Sequence, residues 1–223
     1  MLVGRLPQLS PRLPARNAER YGREVERQFR FVRRALGLRS VFMQIGAEDC
    51  ALARRVAGDV ERAYAVARER PLSAPPQAPN LVHVFSEGGA LPVPEGSVDV
   101  AFSQGLLERL HPALVLEHLG AVRRALSPAG AYFCITANRL RGAAAGAKEY
   151  RYSAAELRAN LLEAGFRSVR FYCRVGGWHA ALPYAILRPA ESVLEKLPYR
   201  LRLRLAAPRP AQRLLGLYAR AQA

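Results

Sequence analysis

The sequence predicts a doubly wound α/β domain on a mainly parallel sheet, preceded by an amphipathic helix and followed by a basic extension. Three observations lead there. From Val41 to Arg174, short runs of strand formers alternate with Ala- and Leu-rich stretches of helical period. The first run, Val41-Phe42-Met43-Gln44-Ile45, passes through a Gly-containing turn into a helical stretch, a geometry that brings backbone N–H groups and a helix start up to a ligand. The 223 residues, half of them hydrophobic, are enough for one substantial core.

Taken in order, residues 1–16 hold three prolines and several arginines and read as an extended arm. Asn17 is the expected N-cap of a helix whose apolar positions, Tyr21, Val25, Phe29, Val32 and Leu36, recur at spacings of four and three up to Gly37. This helix is placed to cover a sheet edge or a ligand pocket. Strands are expected at Val41–Ile45 and Val60–Val66 with a helix over Asp49–Val56 between them, a right-handed parallel βαβ unit. Pro71, Pro75, Pro76 and Pro79 then favour a loop over a second helix, because an internal proline removes a donor and clashes with the preceding turn.

Strands follow at Leu81–Phe85 and Val98–Phe102, joined by a turn-rich connection, with helical segments over 103–111 and 112–126. Ser127-Pro128-Ala129-Gly130 reads as a stop before a fifth strand at Ala131–Thr136. Ser153 and Glu156 form a capping box for a helix with Leu157, Leu161 and Leu162 on its apolar face, ended by Gly165, and Phe166–Arg174 is the sixth strand. The Leu/Arg alternation of residues 199–205 fits either a strand or a short basic helix. The expected division is therefore an arm at 1–16, an α/β domain at 17–185 and a basic extension at 186–223.

Charge and composition narrow the function classes. Net charge is +16, with residues 1–39 contributing +7 and residues 186–223 contributing +6. A basic surface of this kind suits solvated helix faces or contact with an anionic membrane surface through 186–223. Nucleic acid is disfavoured, because aromatic residues are not interleaved with basic ones and no finger or RNP-like motif is present. No apolar run reaches roughly 18 residues and no apolar leader opens the chain, so a cytoplasmic location is expected. Cys50, Cys134 and Cys173 read as reduced, buried thiols, and the four histidines make no metal-ligand spacing with them.

Several short motifs occur in one order: Ile45-Gly46-Ala47 with Asp49-Cys50; Ala65-Val66; Leu91-Pro92-Val93-Pro94 with Gly96-Ser97-Val98-Asp99-Val100; Leu107-Glu108 with Leu110-His111-Pro112; Ala125-Leu126-Ser127-Pro128 with Gly130; and Ala164-Gly165-Phe166. Over residues 38–175 this series resembles class I S-adenosylmethionine-dependent methyltransferases. The resemblance implies a Rossmann-like methyltransferase fold and S-adenosylmethionine as cofactor. It places Gly46, Ala47, Glu48, Asp49, Ala67, Glu87, Gly88, Ser103 and Gln104 around that cofactor. His111 is the candidate general base if the acceptor is a hydroxyl, with His179 second; the plain alternative for His111 is a helix-terminal residue beside Pro112. Asp99 reads as a turn or capping residue.

The chain departs from the family pattern at three points. Gln44 stands where the first strand ends in an acid, Glu48 where the loop carries a second glycine, and Ala67 where an acid meets the ribose hydroxyls, with Glu69 the nearest substitute. Losing one charge-assisted hydrogen bond of this kind weakens affinity roughly 10- to 100-fold. The segment from Asn138 to Tyr150, where relatives build an acceptor pocket, is short and has an Ala/Gly centre. Two readings follow: a methyltransferase for a small-molecule, glycan or lipid-precursor acceptor, or a methyltransferase-like binding or partner protein without catalysis.

Overall fold

A computed structural model of the chain describes residues 15–46, 50–67, 78–86, 90–141, 150–175, 178–206 and 217–223. Its centre is one eight-stranded sheet in the order β3-β2-β1-β4-β5-β8-β6-β7. The strands are β1 Val41–Ile45, β2 Arg62–Ala67, β3 Leu81–Phe85, β4 Val98–Gln104, β5 Leu126–Thr136, β6 Ser168–Val175, β7 Trp178–Leu182 and β8 Leu217–Gln222. The pairs from β3 through β5 are parallel, while β8 runs antiparallel to both β5 and β6, and β7 antiparallel to β6. Strand order therefore reverses between β1 and β4, the switch point beside which open α/β sheets bind ligands.

Alternation along the strands sorts the core into two layers. Phe42, Ala63, Ala65, Val100, Phe102 and Phe133 pack with Phe29, Phe31 and Val32 of α1 (Ala15–Val32) and with Leu52, Ala53 and Val56 of α2 (Ala51–Ala57). On the opposite face Met43, Ile45, Tyr64, Val66, Ala101, Tyr132 and Cys134 pack against α3 (Pro112–Ala125), α4 (Ala154–Glu163) and α5 (Tyr184–Glu195) through Val115, Leu119, Leu157, Leu161 and Leu187. Phe31 fastens α1 to the later strands, with its ring 5.1 Å from Phe133, 5.4 Å from Tyr172, 4.5 Å from His179 and 5.9 Å from Tyr218.

Several expected boundaries move. Helix α1 spans Ala15–Val32, so Asn17 lies inside it rather than capping it. Strand β4 runs on to Gln104, and only a 3₁₀ turn at Leu107–Arg109 replaces the helix expected over 103–111. Strand β5 starts directly after α3 at Leu126, where Gly130 is needed because a Cβ there would lie 2.9 Å from the Val98 carbonyl oxygen. Residues 199–205 are helical, within α6 (Tyr199–Ala206).

The largest correction concerns residues 186–223, expected as an extension outside the domain. They supply most of α5, all of α6, and β8, which sits inside the sheet between β5 and β6. The residues of β8 explain why: Leu217, Tyr218, Ala219 and Ala221 are buried, and the Arg220 guanidinium lies 5.6 Å from the centre of the Phe133 ring. Leu217, Ala219 and Ala221 do alternate with Tyr218, Arg220 and Gln222, but six residues rich in alanine after an Arg- and Pro-rich stretch are a weak local signal for a strand inside the sheet.

Candidate ligand cleft at the switch point

The strand-to-turn transition after β1 is organised by two residues with positive φ. Gly46, at φ 74°, donates its N–H to the Val66 carbonyl at 2.9 Å, and a Cβ in its place would come 2.9 Å from Leu106 Cδ1. Only glycine combines that φ with that approach at low cost. Cys50 precedes α2 in the left-handed region at φ 52° and ψ 24°, and caps nothing with its side chain. The start of α2 is instead capped from the strand, where buried Gln44 accepts the Ala53 N–H on Oε1 at 2.7 Å. Gln44 shares its strand parity with Phe42, which points it toward α2.

A cleft of about 380 Å³ opens here, between the carboxyl ends of β1 and β4 below and α1 above. Gln44, Gly46 and Leu52 line one wall, Phe102 and Gln104 the other, and Tyr21, Glu24, Val25 and Gln28 form a roof. The roof residues recur at helical spacing, so one face of α1 covers the opening. Gln28 Nε2 donates to Gln104 Oε1 at 2.6 Å across the cleft.

Two charged side chains stand among the described lining residues. Arg109, on the 3₁₀ turn after β4, donates from Nε to the Gly105 carbonyl and from Nη2 to the Gly46 carbonyl at 3.4 Å. Glu24 pairs through Oε2 with Arg27 and with Arg174 Nη1, the latter at 3.7 Å, and neither arginine lines the cleft.

The expected site residues distribute unevenly. Gly46 and Gln104 lie on the cleft. Ser103 does not: one residue along the strand its side chain turns to the opposite layer, where it is 1% exposed and shares a 2.6 Å hydrogen bond with the Tyr132 hydroxyl. Ala67 ends β2, buried, and offers no polar side-chain atom. Ala47, Glu48, Asp49, Glu69, Glu87 and Gly88, and the acceptor segment from 142 to 149, lie outside the described residues.

His111 is exposed and is the N-cap of α3, its Nδ1 accepting the Ala113 N–H at 3.3 Å; it does not line the cleft. His179 packs between Phe31 and Tyr218, where burial first and Arg174 second lower its pKa to about 4. Asp99 ties β1 to the α3–β5 junction, accepting from Val41 N at 2.9 Å and Ser127 Oγ at 3.1 Å. Sequence reading missed Tyr21, Glu24, Gln28 and Arg109. The signal was available in α1, whose polar Glu24 and Gln28 flank Tyr21 and Val25 on one helical face.

Beyond the cleft, the cysteines are buried and form no disulfide, and burial pushes the Cys134 thiol up to about 12. Among the described residues no group of three His, Cys, Asp or Glu is placed to hold a metal ion, and no helix is long and apolar enough to cross a membrane.

No family model matches the chain, and no curated protein matches its sequence. Solved structures do match. The complex between the Haloferax volcanii Trm112 methyltransferase activator and a methyltransferase contains a chain similar at TM-score 0.61 and 18% identity, covering 94% of each chain. An S-adenosylmethionine-dependent methyltransferase from Mesorhizobium loti is similar at TM-score 0.54 and 15% identity, over 85% of this chain and 93% of that one. Another from Thermotoga maritima is similar at 0.57 and 11%, over 93% and 94%. Likeness at such identity is likeness of architecture: the chain has the fold of class I S-adenosylmethionine-dependent methyltransferases.

Proposed function

We propose that this chain binds S-adenosylmethionine in the switch-point cleft and transfers its methyl group to a small-molecule, glycan or lipid-precursor acceptor. The observation that carries the reading is the coincidence of the cleft with the reversal of strand order, over the bare backbone of Gly46. The lining suits the group: a volume of about 380 Å³ lies within the usual range for ligand pockets, and Ile45, Leu52 and Phe102 supply apolar surface beside a few polar atoms.

When bound, S-adenosylmethionine supplies a methyl group already activated on a sulfonium. The residues of the chain therefore hold, orient and exclude water more than they move protons. Gly46 allows close backbone approach, Gln104 offers its carboxamide, and α1 shields the cleft from solvent. The loops carrying Ala47, Glu48 and Asp49, and Glu87 and Gly88, follow β1 and β3 in sequence and are proposed to complete the site. With Ala67 ending β2, the ribose lacks its usual acid there. His111 is given no part in proton transfer, because its ring nitrogen caps α3.

The basic ends of the chain favour an anionic acceptor. The exposed Leu201 and Leu205 beside the exposed Arg200 and Arg204 suit weak contact with an anionic membrane surface. The Haloferax volcanii neighbour sits in a complex with a methyltransferase activator, which makes a protein partner part of the reading.

Calorimetric titration with S-adenosylmethionine tests the proposal. The expected result is a saturable one-to-one isotherm in the micromolar range with a matching rise in Tm. Absence of both heat and thermal shift at millimolar ligand favours the alternative, a methyltransferase-like binding or partner protein without catalysis.

A further inference from the structure

The described charges around the cleft lie on α1 and on the turn after β4. The last turn of β1 is neutral, because Gln44 replaces an acid and its oxygen is taken by the Ala53 N–H. Among the described residues lining the cleft, the carboxylate is Glu24, on α1, and the guanidinium is Arg109, on the turn after β4. The other described lining residues are apolar, carboxamide, phenol or backbone.

From this we infer that Glu24 and Arg109 form a clamp for a zwitterionic amino-acid group, the ammonium on Glu24 and the carboxylate on Arg109. The inference rests on the reading of the cleft as the S-adenosylmethionine site, whose amino-acid end is such a group.

The local chemistry supports each half. Arg109 is held in place by the Gly105 and Gly46 carbonyls, leaving its remaining N–H groups to form the paired bonds a carboxylate accepts. Glu24 lines the cleft, and its ion pairs with Arg27 and Arg174 are both made through Oε2, so the clamp assigns the ammonium to Oε1. Both side chains are solvent-accessible, so the effect of each belongs to the range of partly screened, charge-assisted hydrogen bonds. The clamp also makes α1 part of the binding site: Gln28 already bridges to Gln104, and a ligand joining Glu24 to Arg109 would span the same gap.

The test compares two probes on the full chain by calorimetry: S-adenosylhomocysteine, which carries the amino-acid end, and 5′-methylthioadenosine, which lacks it. The wild-type protein is expected to bind the first at least tenfold more tightly. Glu24→Gln and Arg109→Gln should each weaken S-adenosylhomocysteine at least fivefold while leaving 5′-methylthioadenosine within twofold, which also shows that the variants are folded. Arg109→Lys should recover part of the loss. Equal affinity for the two probes, or S-adenosylhomocysteine binding that both Gln variants retain in full, overturns the clamp while leaving the cofactor reading intact. Failure of both probes to bind the wild-type protein overturns both together.

Discussion

At the carboxyl end of β5, the helix that follows is closed by the protein's own polar groups; at the carboxyl end of β1, the equivalent helix start stands beside a cleft. Ser153 and Glu156 form a capping box on α4, and Glu191, reaching over from α5, accepts the Ala154 N–H on both oxygens at 3.1 and 2.9 Å. Asn138 at the end of β5 donates to Glu191 Oε1 at 2.6 Å and accepts from Leu140 N at 2.8 Å. Asn138 and Glu191 are 0% and 1% exposed. Helix α2 has no such set: its cap residue contributes no side-chain oxygen, and one carboxamide from β1 takes its place. Both helix starts offer backbone donors, but among the described residues only the α2 start, through Ala51 and Leu52, lines the cleft.

The largest expected effect comes from breaking the filled junction. Glu191→Ala leaves the Asn138 amide and the Ala154 N–H without their buried acceptor and should cost about 3 kcal/mol, a fall in Tm of roughly 6–12 °C for a chain of this size. Glu191→Gln should cost well under half of that. Burial raises the Glu191 pKa, so the native state disfavours its charge and a neutral acceptor retains most of the function. Thermal unfolding of the two variants at neutral pH decides it; equal losses would mean that the charge, rather than the acceptor, matters.

A smaller effect separates the two layers by pH. His118 on α3 is 6% exposed, and burial lowers its pKa to about 4. Its native pKa lies below the unfolded one, so the unfolded state binds more protons between roughly pH 6.5 and pH 4, and stability falls as pH drops through that window. The loss at pH 5 is about 2 kcal/mol for this residue. His179 on the α1 layer shifts in the same direction but is less buried and contributes less. Denaturant titrations at pH 7 and pH 5 should show His118→Leu with a reduced pH dependence, and His179→Leu with a smaller reduction.

The contrast between the junctions also separates what could be read from the sequence and what could not. The strands β1 to β6 and the Ser153 capping box follow from local pattern, because each residue's periodicity or cap chemistry acts within a few positions of itself. So does Gly46, whose need for positive φ belongs to the turn. The partners of Glu191 are different: Asn138 is 53 residues away and Ala154 is 37, and nothing in their spacing announces a buried carboxylate network. Arg109 and Glu24 face one cleft only because β4 runs two residues farther than its apolar run suggests and α1 folds back over the sheet. Ser103 was misplaced by a single residue of strand parity, since its neighbour Gln104 does reach the cleft. The burial of β8 depended on pairing with both β5 and β6, which no window of its own sequence contains.

The finest test of the comparison is at Gln44 itself. Gln44→Leu removes the side-chain acceptor of the Ala53 N–H, which is fully buried; the expected cost is about 1 kcal/mol. Gln44→Glu keeps an acceptor in the same place and sets a negative charge at a helix N-terminus, which is favourable there. It should therefore match or exceed wild-type stability. Thermal unfolding of both variants separates two roles for this residue. If Gln44→Leu falls and Gln44→Glu does not, the carboxamide is a helix cap, and a carboxylate at the end of β1 could hold the same helix. The neutral side chain then leaves the cleft charge to Glu24 and Arg109, whereas equal stability of all three proteins would remove the cap from the explanation of why this strand end carries no acid.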